Sequence, residues 1–121
     1  NSLNVYDVDV LAALGFCYLN KHDPYKALSV FSKAAGIEKN NPELLNYLGI
    51  VCGELGWYDA AARNLEKALK LRPKSPETAY NLAVILLSCK PARNVEAKKW
   101  YDEALMYGAK PNSQLEKRLN N

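Results

Sequence analysis

Residues 41–75 read NPELLNYLGIVCGELGWYDAAARNLEKALKLRPKS, and much of this stretch occurs again on either side of it. Four pairs of identical residues lie thirty-four positions apart: Leu14 and Leu48, Leu48 and Leu82, Gly15 and Gly49, and Ala27 and Ala61. A fixed period of this length is typical of stacked repeats, each of which is too small to bury its apolar face alone. The sequence therefore predicts an array of three similar units.

Each unit carries local signals for two helices. The dipeptides Asp23-Pro24, Asn41-Pro42 and Ser75-Pro76 place a capping side chain before a proline. This arrangement is common at the start of α-helices. Apolar residues then recur at helical spacing. We predict helices at about 8–20, 24–37, 42–55, 58–71, 76–89 and 94–107, and a short one at about 113–119 capped by Ser113. The third copy is two residues longer, and we place the extra residues in the turn around Cys89-Lys90-Pro91.

The repeated positions resemble the tetratricopeptide repeat family, in which a first helix carries Leu-Gly and an aromatic residue and a second helix carries Ala, an aromatic residue and Ala. The matching residues are Leu14, Gly15, Tyr18, Ala27, Phe31 and Ala34 in copy one, Leu48, Gly49, Ala61, Ala68 and Pro73 in copy two, and Leu82, Ala97, Tyr101 and Ala104 in copy three. Ala83 replaces a glycine, Cys52 and Leu86 replace aromatic residues, and Lys39 replaces a proline. The resemblance covers roughly residues 8 to 108 and implies an all-α, right-handed solenoid of helical hairpins.

This organisation predicts one domain over residues 1–121, with repeats at about 8–41, 42–75 and 76–111. The segment 113–119 is predicted to cap the array, because a terminal repeat needs a polar outer layer. Since the chain begins with Asn1-Ser2 and lacks an initial Met, we expect it to be a fragment of a longer protein. Ala61 is expected to lie where two helix backbones approach closely, so a larger residue there is predicted to destabilise the array.

Composition argues against several classes of function. The net charge is only +3, and basic residues interleave with acidic ones along the second helices, as on a solvated face, so we predict no nucleic-acid partner. No stretch approaches the length of apolar sequence that spans a bilayer, so no membrane insertion is predicted. The single histidine, His22, lies in a predicted turn. We find no catalytic, metal-ligating or cofactor-binding motif and predict no enzyme.

The cysteines at positions 17, 52 and 89 have no metal-ligand spacing. We interpret them as small buried apolar residues. A disulfide between Cys17 and Cys52, which lie in adjacent repeats, stays open at this point. Free thiols would favour a reducing compartment such as the cytoplasm.

The resemblance implies that the first helices line a concave groove, whose inward positions are the binding candidates. By helical spacing these are Asp9, Ala12, Phe16, Asn20, Glu43, Asn46, Ile50, Gly53, Glu77, Tyr80, Asn81, Val84 and Leu87. The set is apolar in its middle and acidic along one edge, which suits an amphipathic helix or an extended peptide with a basic flank. Carboxylates in a first helical turn also stabilise the helix dipole, so a purely structural role for Asp9, Glu43 and Glu77 stays open.

The predicted function is a protein-interaction adaptor that binds a protein or peptide partner in this groove. Two alternatives remain, namely a stretch of a longer solenoid that mediates self-association, and a chaperone for secretion substrates. One subclass of the family captures the carboxylate tails of chaperones through basic residues on this face, but the predicted lining positions include no Lys or Arg, which argues against that ligand. The pairs Trp57-Tyr58 and Trp100-Tyr101 are interpreted as packing residues, with Trp57 partly exposed in a turn.

Overall fold

The computed structural model describes residues 7–120, within which seven α-helices follow one another. They are α1 (Val8–Asn20), α2 (Pro24–Ile37), α3 (Pro42–Glu54), α4 (Tyr58–Leu71), α5 (Pro76–Ser88), α6 (Asn94–Met106) and α7 (Ser113–Leu119). The predicted bounds differ from these by at most one residue. Residues 1–6 and 121 of the predicted domain lie outside the described part of the chain.

Side-chain caps begin the first helices of the second and third repeats, as predicted. The Asn41 carboxamide oxygen accepts hydrogen bonds from the backbone N–H groups of Glu43 at 3.0 Å and Leu44 at 3.4 Å. The Ser75 hydroxyl accepts one from the Thr78 N–H at 3.3 Å. A proline follows each cap and has no N–H to leave unpaired. These short signals fix where each helix starts.

The cap of α7 differs from the prediction. Its first N–H groups are capped by Asn112, whose side chain accepts a hydrogen bond from the Leu115 N–H at 3.0 Å. Ser113 is the first helical residue, so its assignment as the cap was wrong by one position. Asn and Ser are comparably good caps, and the sequence alone did not separate two neighbouring candidates.

The helices pack as three antiparallel hairpins, α1 with α2, α3 with α4 and α5 with α6. Each second helix also packs on the next first helix, α2 on α3 and α4 on α5, and α7 covers the end against α5 and α6. The buried side chains form two clusters, one between α1, α2 and α3 and one extending from α3 to α7, and Leu28 packs against both. The array is thus one continuous helical solenoid.

Two glycines let the helices of a hairpin touch. A Cβ atom built on Gly49 would lie 2.5 Å from Cγ of Leu65, and one built on Gly15 would lie 2.4 Å from the ring of Phe31. The same Gly49 Cβ would lie 3.3 Å from the carbonyl oxygen of Ala61, which is fully buried. The expected close approach at Ala61 is therefore present.

The longer third copy has the predicted cause. Five residues, 89–93, connect α5 to α6, whereas three residues, 55–57, connect α3 to α4. The two extra residues lie in the turn that contains Cys89 and Pro91, and the first helix before this turn keeps its length of 13 residues.

The cysteines are free thiols in two environments. Cys52 and Cys89 are buried, as predicted, and burial raises the pKa of both thiols. Cys17 is exposed, so the prediction was wrong there. Its equivalents one and two periods later, Val51 and Ile85, are buried because a preceding repeat covers them: Val51 lies in the cluster between α1, α2 and α3, and Ile85 lies against Gly53 of α3.

The longest helices of the array have 14 residues. Within residues 7–120, none of the helices combines the length and the apolar character needed to cross a bilayer.

A matched pair of glycine substitutions tests the hairpin packing. We expect Gly49→Ala to lower the free energy of unfolding by roughly 1–3 kcal/mol, because the fully buried Leu65 has no room to move away from the new methyl group. Gly36→Ala, in the last turn of α2, adds a methyl group with nothing within 4 Å and should raise stability by about 0.5–1 kcal/mol. Urea unfolding of both variants measures the difference. Equal stability changes would contradict the packing described here.

Candidate functional site

One edge of the candidate groove is acidic. The first turns of α1, α3 and α5 each expose a carboxylate, from Asp9, Glu43 and Glu77 respectively. The N–H groups of a helix start favour negative charge at this place, so each carboxylate also stabilises its own helix. Three equivalent helix ends therefore present a line of negative charge along the surface.

A cation that the sequence analysis did not include lies at this edge. The Arg72 guanidinium nitrogen is 3.4 Å from the carboxylate of Glu43. Arg72 directly follows α4, in the turn that leads to α5. This turn places the Arg72 side chain next to the start of α3. Both side chains are more than half exposed, so the pair contributes at most about 1 kcal/mol to stability. A ligand can therefore compete for either partner at low energetic cost.

Asn46 forms hydrogen bonds between α3 and α5. Its side chain is buried, its amide donates to the Glu77 carboxylate at 3.3 Å, and its oxygen accepts from the Asn81 amide at 3.2 Å. Buried amides generally find such partners, because an unpaired one is costly. The structure brings these three predicted residues together, with Asn46 holding the other two in place from below the surface.

The middle of the candidate groove is apolar. Phe16 remains 41% exposed, and Ile50 and Val84, at the equivalent positions of α3 and α5, are half-buried. The Phe16 ring contacts Tyr47 edge-on, with the ring centroids 4.6 Å apart, and Phe31 in the same way at 5.8 Å. Aromatic neighbours thus hold Phe16 in a defined orientation while part of its ring faces outward.

Tyr47 is a second residue that the predicted site did not include. With Glu43, Glu77 and Arg72 it lines a small polar pocket of about 180 Å³ between the starts of α3 and α5. Burial, and then the charges of Glu43 and Glu77, raise the pKa of the Tyr47 hydroxyl above its usual range. The hydroxyl therefore stays protonated at neutral pH and can donate a hydrogen bond.

The segment between α6 and α7 packs beside the start of α5, at the third-repeat end of the candidate groove. Residues 109–112 and the start of α5 surround a pocket of about 480 Å³ that contains Tyr80 and Asn81. The Asn112 amide donates to the Tyr80 hydroxyl at 2.9 Å, and Lys110 lines the same pocket. Sequence reasoning treated this segment only as the lead into the cap. Its approach to Tyr80, thirty-two residues away, follows from how α7 docks.

Two of the predicted positions serve packing. Leu87 is buried in the core, and a Cβ atom built on Gly53 would lie 2.6 Å from the Cδ1 atom of Ile85. Gly53 thus lets α5 approach α3. We correct Leu87 from a lining position to a core position, and Gly53 from a lining position to a point of close approach between α3 and α5.

The two remaining positions are at the first repeat. Asn20 is exposed at the last turn of α1 and stays a predicted lining residue, although the residue one period before Gly53 is Leu19. Ala12 is half-buried and packs against the core cluster of α1, α2 and α3.

One buried hydroxyl links the capping helix to α6, in addition to the buried side chains of Leu115 and Leu119. Tyr101, nearly fully buried in α6, donates to the Glu116 carboxylate of α7 and accepts from the Asn112 N–H at 2.9 Å. Burial, followed by the hydrogen bond to Glu116, raises the pKa of Tyr101 above its ordinary value. The wall next to Tyr80 therefore depends on Tyr101.

Comparison with known sequences gives a family match and a curated relative. The tetratricopeptide repeat profile matches residues 42–75. The peroxisomal targeting signal receptor of Saccharomyces cerevisiae is 29% identical over 84 residues. That match covers 69% of this chain and 14% of the receptor, so the chain spans only a small part of that relative.

Solved structures share the whole arrangement of helices. The first tetratricopeptide repeat domain of Spaghetti (RPAP3), bound to the HSP90 peptide SRMEEVD, superposes with a TM-score of 0.87 at 17% identity and covers 98% of this chain and 94% of that one. The Arabidopsis OM64 tetratricopeptide repeat domain gives 0.87 at 18% identity, with 98% of each chain covered. The Yersinia enterocolitica type III secretion chaperone SycD, in complex with a peptide of the translocator YopD, gives 0.82 at 18% identity, covering 99% and 95%. At these identities the likeness establishes the fold.

Removing the Tyr101 hydroxyl tests the attachment of α7. In Tyr101→Phe both of its hydrogen bonds are lost, so we expect a loss of roughly 1–3 kcal/mol and faster amide exchange in α7. Because the folded state raises the pKa of Tyr101 above 10.0, its stabilisation is present below that pH and declines as the pH rises further. The stability difference between wild type and variant should therefore narrow above pH about 10. Tyr107→Phe, which removes the hydroxyl of a half-buried tyrosine just after α6, is the control, and identical exchange in all three proteins would refute this role.

Proposed function

Because the chain is a tetratricopeptide repeat protein, we propose that residues 7–120 form a non-catalytic interaction domain that binds a peptide or helix of another protein along α1, α3 and α5. Two structural neighbours carry peptides, from HSP90 and from YopD, which shows that this fold accommodates such ligands. The observation that supports the proposal on this chain is the apolar row of exposed Phe16 and half-buried Ile50 and Val84 beside the acidic edge.

The chemistry of this surface selects a class of partner. Apolar side chains at helical or extended spacing fit the row, and Lys or Arg residues fit the carboxylates of Asp9, Glu43 and Glu77. An acidic peptide is disfavoured, because three carboxylates at this edge outnumber the two basic side chains described there, Arg72 and Lys110. We therefore expect a partner unlike the acidic peptide SRMEEVD of the Spaghetti domain.

Ile50→Gln tests the apolar row. Ile50 is half-buried but is in neither core cluster of the described residues, so the substitution removes apolar groove surface with little effect on folding. A library of displayed peptides, selected on the wild-type domain, should yield sequences with apolar residues flanked by Lys or Arg. We expect their affinity to fall about tenfold on Ile50→Gln, as for the loss of one well-buried aliphatic contact.

Val95→Gln is the matched control, since it makes the same kind of change on an exposed aliphatic residue of α6. Thermal unfolding establishes that both variants are folded. Selected peptides that bind Ile50→Gln as tightly as wild type, or lose affinity equally for Val95→Gln, would place the binding surface elsewhere.

A second candidate function, self-association, is favoured by the face of the first repeat. Leu14 is 41% exposed, whereas its equivalents Leu48 and Leu82 are 8% and 0% exposed because the second helix of the preceding repeat covers them. Cys17 next to it is exposed in the same way. This face matches surfaces that the array itself covers with a helix, so a helix of a second copy fits it.

Leu14→Glu tests self-association. If the face pairs with a second copy, the variant should shift the sedimentation equilibrium of the wild-type domain toward monomer, because pairing would bury the new carboxylate. Leu71→Glu replaces the same residue type at 42% exposure in another repeat and serves as the control. A wild-type domain that remains monomeric at all concentrations would eliminate this candidate and leave the groove proposal untouched.

A further inference from the structure

A pocket of about 410 Å³ lies between α4 and α6, in the layer of second helices and separate from the groove. Its floor is the buried Leu69, and its walls are Pro73 and the half-buried aromatic residues Trp100 and Tyr107. The volume lies within the range of sites that bind a small ligand or one large side chain.

Three charged residues line this pocket, namely Glu66, Glu103 and Lys70. Glu66 lies 4.0 Å from Arg93, at the limit of an ion pair. Glu103 is half-buried, and within residues 7–120 no basic side-chain nitrogen lies within 4.0 Å of its carboxylate. The pocket is thus locally negative in a chain whose net charge is +3, and one carboxylate is available to a ligand.

The preceding crossing, between α2 and α4, provides an internal comparison. The positions equivalent to Leu69 and Pro73 are Ala35 and Lys39, one period of thirty-four earlier. Those equivalent to Trp100, Glu103 and Tyr107, thirty-six earlier, are Asn64, Lys67 and Leu71. One aromatic ring becomes an amide, the other becomes an aliphatic side chain, and the acid becomes a base. The fold therefore does not require this combination of residues, which is specific to the pocket between α4 and α6.

The Trp100 ring already contacts a cation within the chain. The Lys99 ammonium nitrogen lies 4.9 Å from the centroid of that ring. Indole rings attract cations through the negative potential of their faces, and the attraction strengthens when the cation is partly desolvated. A cationic ligand in the pocket would meet an aromatic ring that already lies beside one ammonium group.

We propose that this pocket binds the side chain of an arginine in a partner polypeptide. A guanidinium is planar, so it stacks on Trp100 while it donates two parallel hydrogen bonds to the Glu103 carboxylate. Its three methylene groups cover Leu69 and Pro73. Glu66 adds a second carboxylate, so the two acidic side chains outnumber Lys70, the one basic side chain of the lining, and they disfavour an acidic or phosphorylated ligand.

The two tryptophans provide the assay. Trp57 lies in the turn between α3 and α4 and contacts Tyr25, so its indole N–H signal reports on a different surface. We would titrate the ¹⁵N-labelled domain with acetyl-Gly-Leu-Arg-Leu-Gly-amide and with the same peptide carrying citrulline, the neutral isostere of arginine. The proposal requires a saturable shift of the Trp100 indole signal with the arginine peptide, at least fivefold weaker binding of the citrulline peptide, and a constant Trp57 signal.

Glu103→Gln and Glu43→Gln separate this pocket from the acidic edge of the groove. We expect Glu103→Gln to lower the affinity for the arginine peptide about fivefold, as for the loss of a partly exposed charge pair. The affinity for the citrulline peptide should not change. Glu43→Gln should change neither. Equal binding of the two peptides, a shift absent at Trp100, or a loss confined to Glu43→Gln would each overturn the proposal. These outcomes are independent of the Ile50 experiment, so failure here leaves the groove proposal standing.

Discussion

The distance between the two helices of a hairpin is the constraint on which the rest of this molecule depends. Gly49 faces Leu65 and Gly15 faces Phe31 so closely that a single additional carbon would collide with a fully buried side chain. Interiors packed to this density respond to small changes in volume. Each second helix then packs on the next first helix, so the close spacing within the hairpins contributes to where the first helices place their side chains.

The sequence predicted the fold nearly completely, for reasons visible in particular residues. Caps such as Asn41 and Ser75 act within three residues, so they are visible in the local sequence. The period that relates Leu14 to Leu48 indicates that the same pair of helices occurs again. The exceptions arise where a residue lacks the neighbour that its equivalents have. Cys17 was predicted to be buried because the pattern treats all repeats alike, whereas the first repeat has no preceding helix over that position within the described residues.

The candidate site was less accessible to such reasoning, since its parts come from distant segments. Asn46 matched the register of a groove residue, but register does not reveal that Glu77 and Asn81 lie within hydrogen-bond distance of it. Arg72 and Asn112 reach the surface from a turn and from the segment before α7, which no helical spacing describes. Periodicity assigns a side chain to a face, while the contacts between faces decide whether that side chain packs inward or remains available to a ligand.

The turn after α4 has a further consequence. Arg72 and Pro73 are adjacent in the chain, yet Arg72 pairs with Glu43 beside the groove and Pro73 forms a wall of the pocket between α4 and α6. One peptide unit thus belongs to two surfaces in different helix layers. A ligand that reoriented this unit from either side would alter the binding surface on the other, and thermodynamic linkage would make the influence equal in both directions. The backbone of this turn therefore connects the groove to the pocket between α4 and α6.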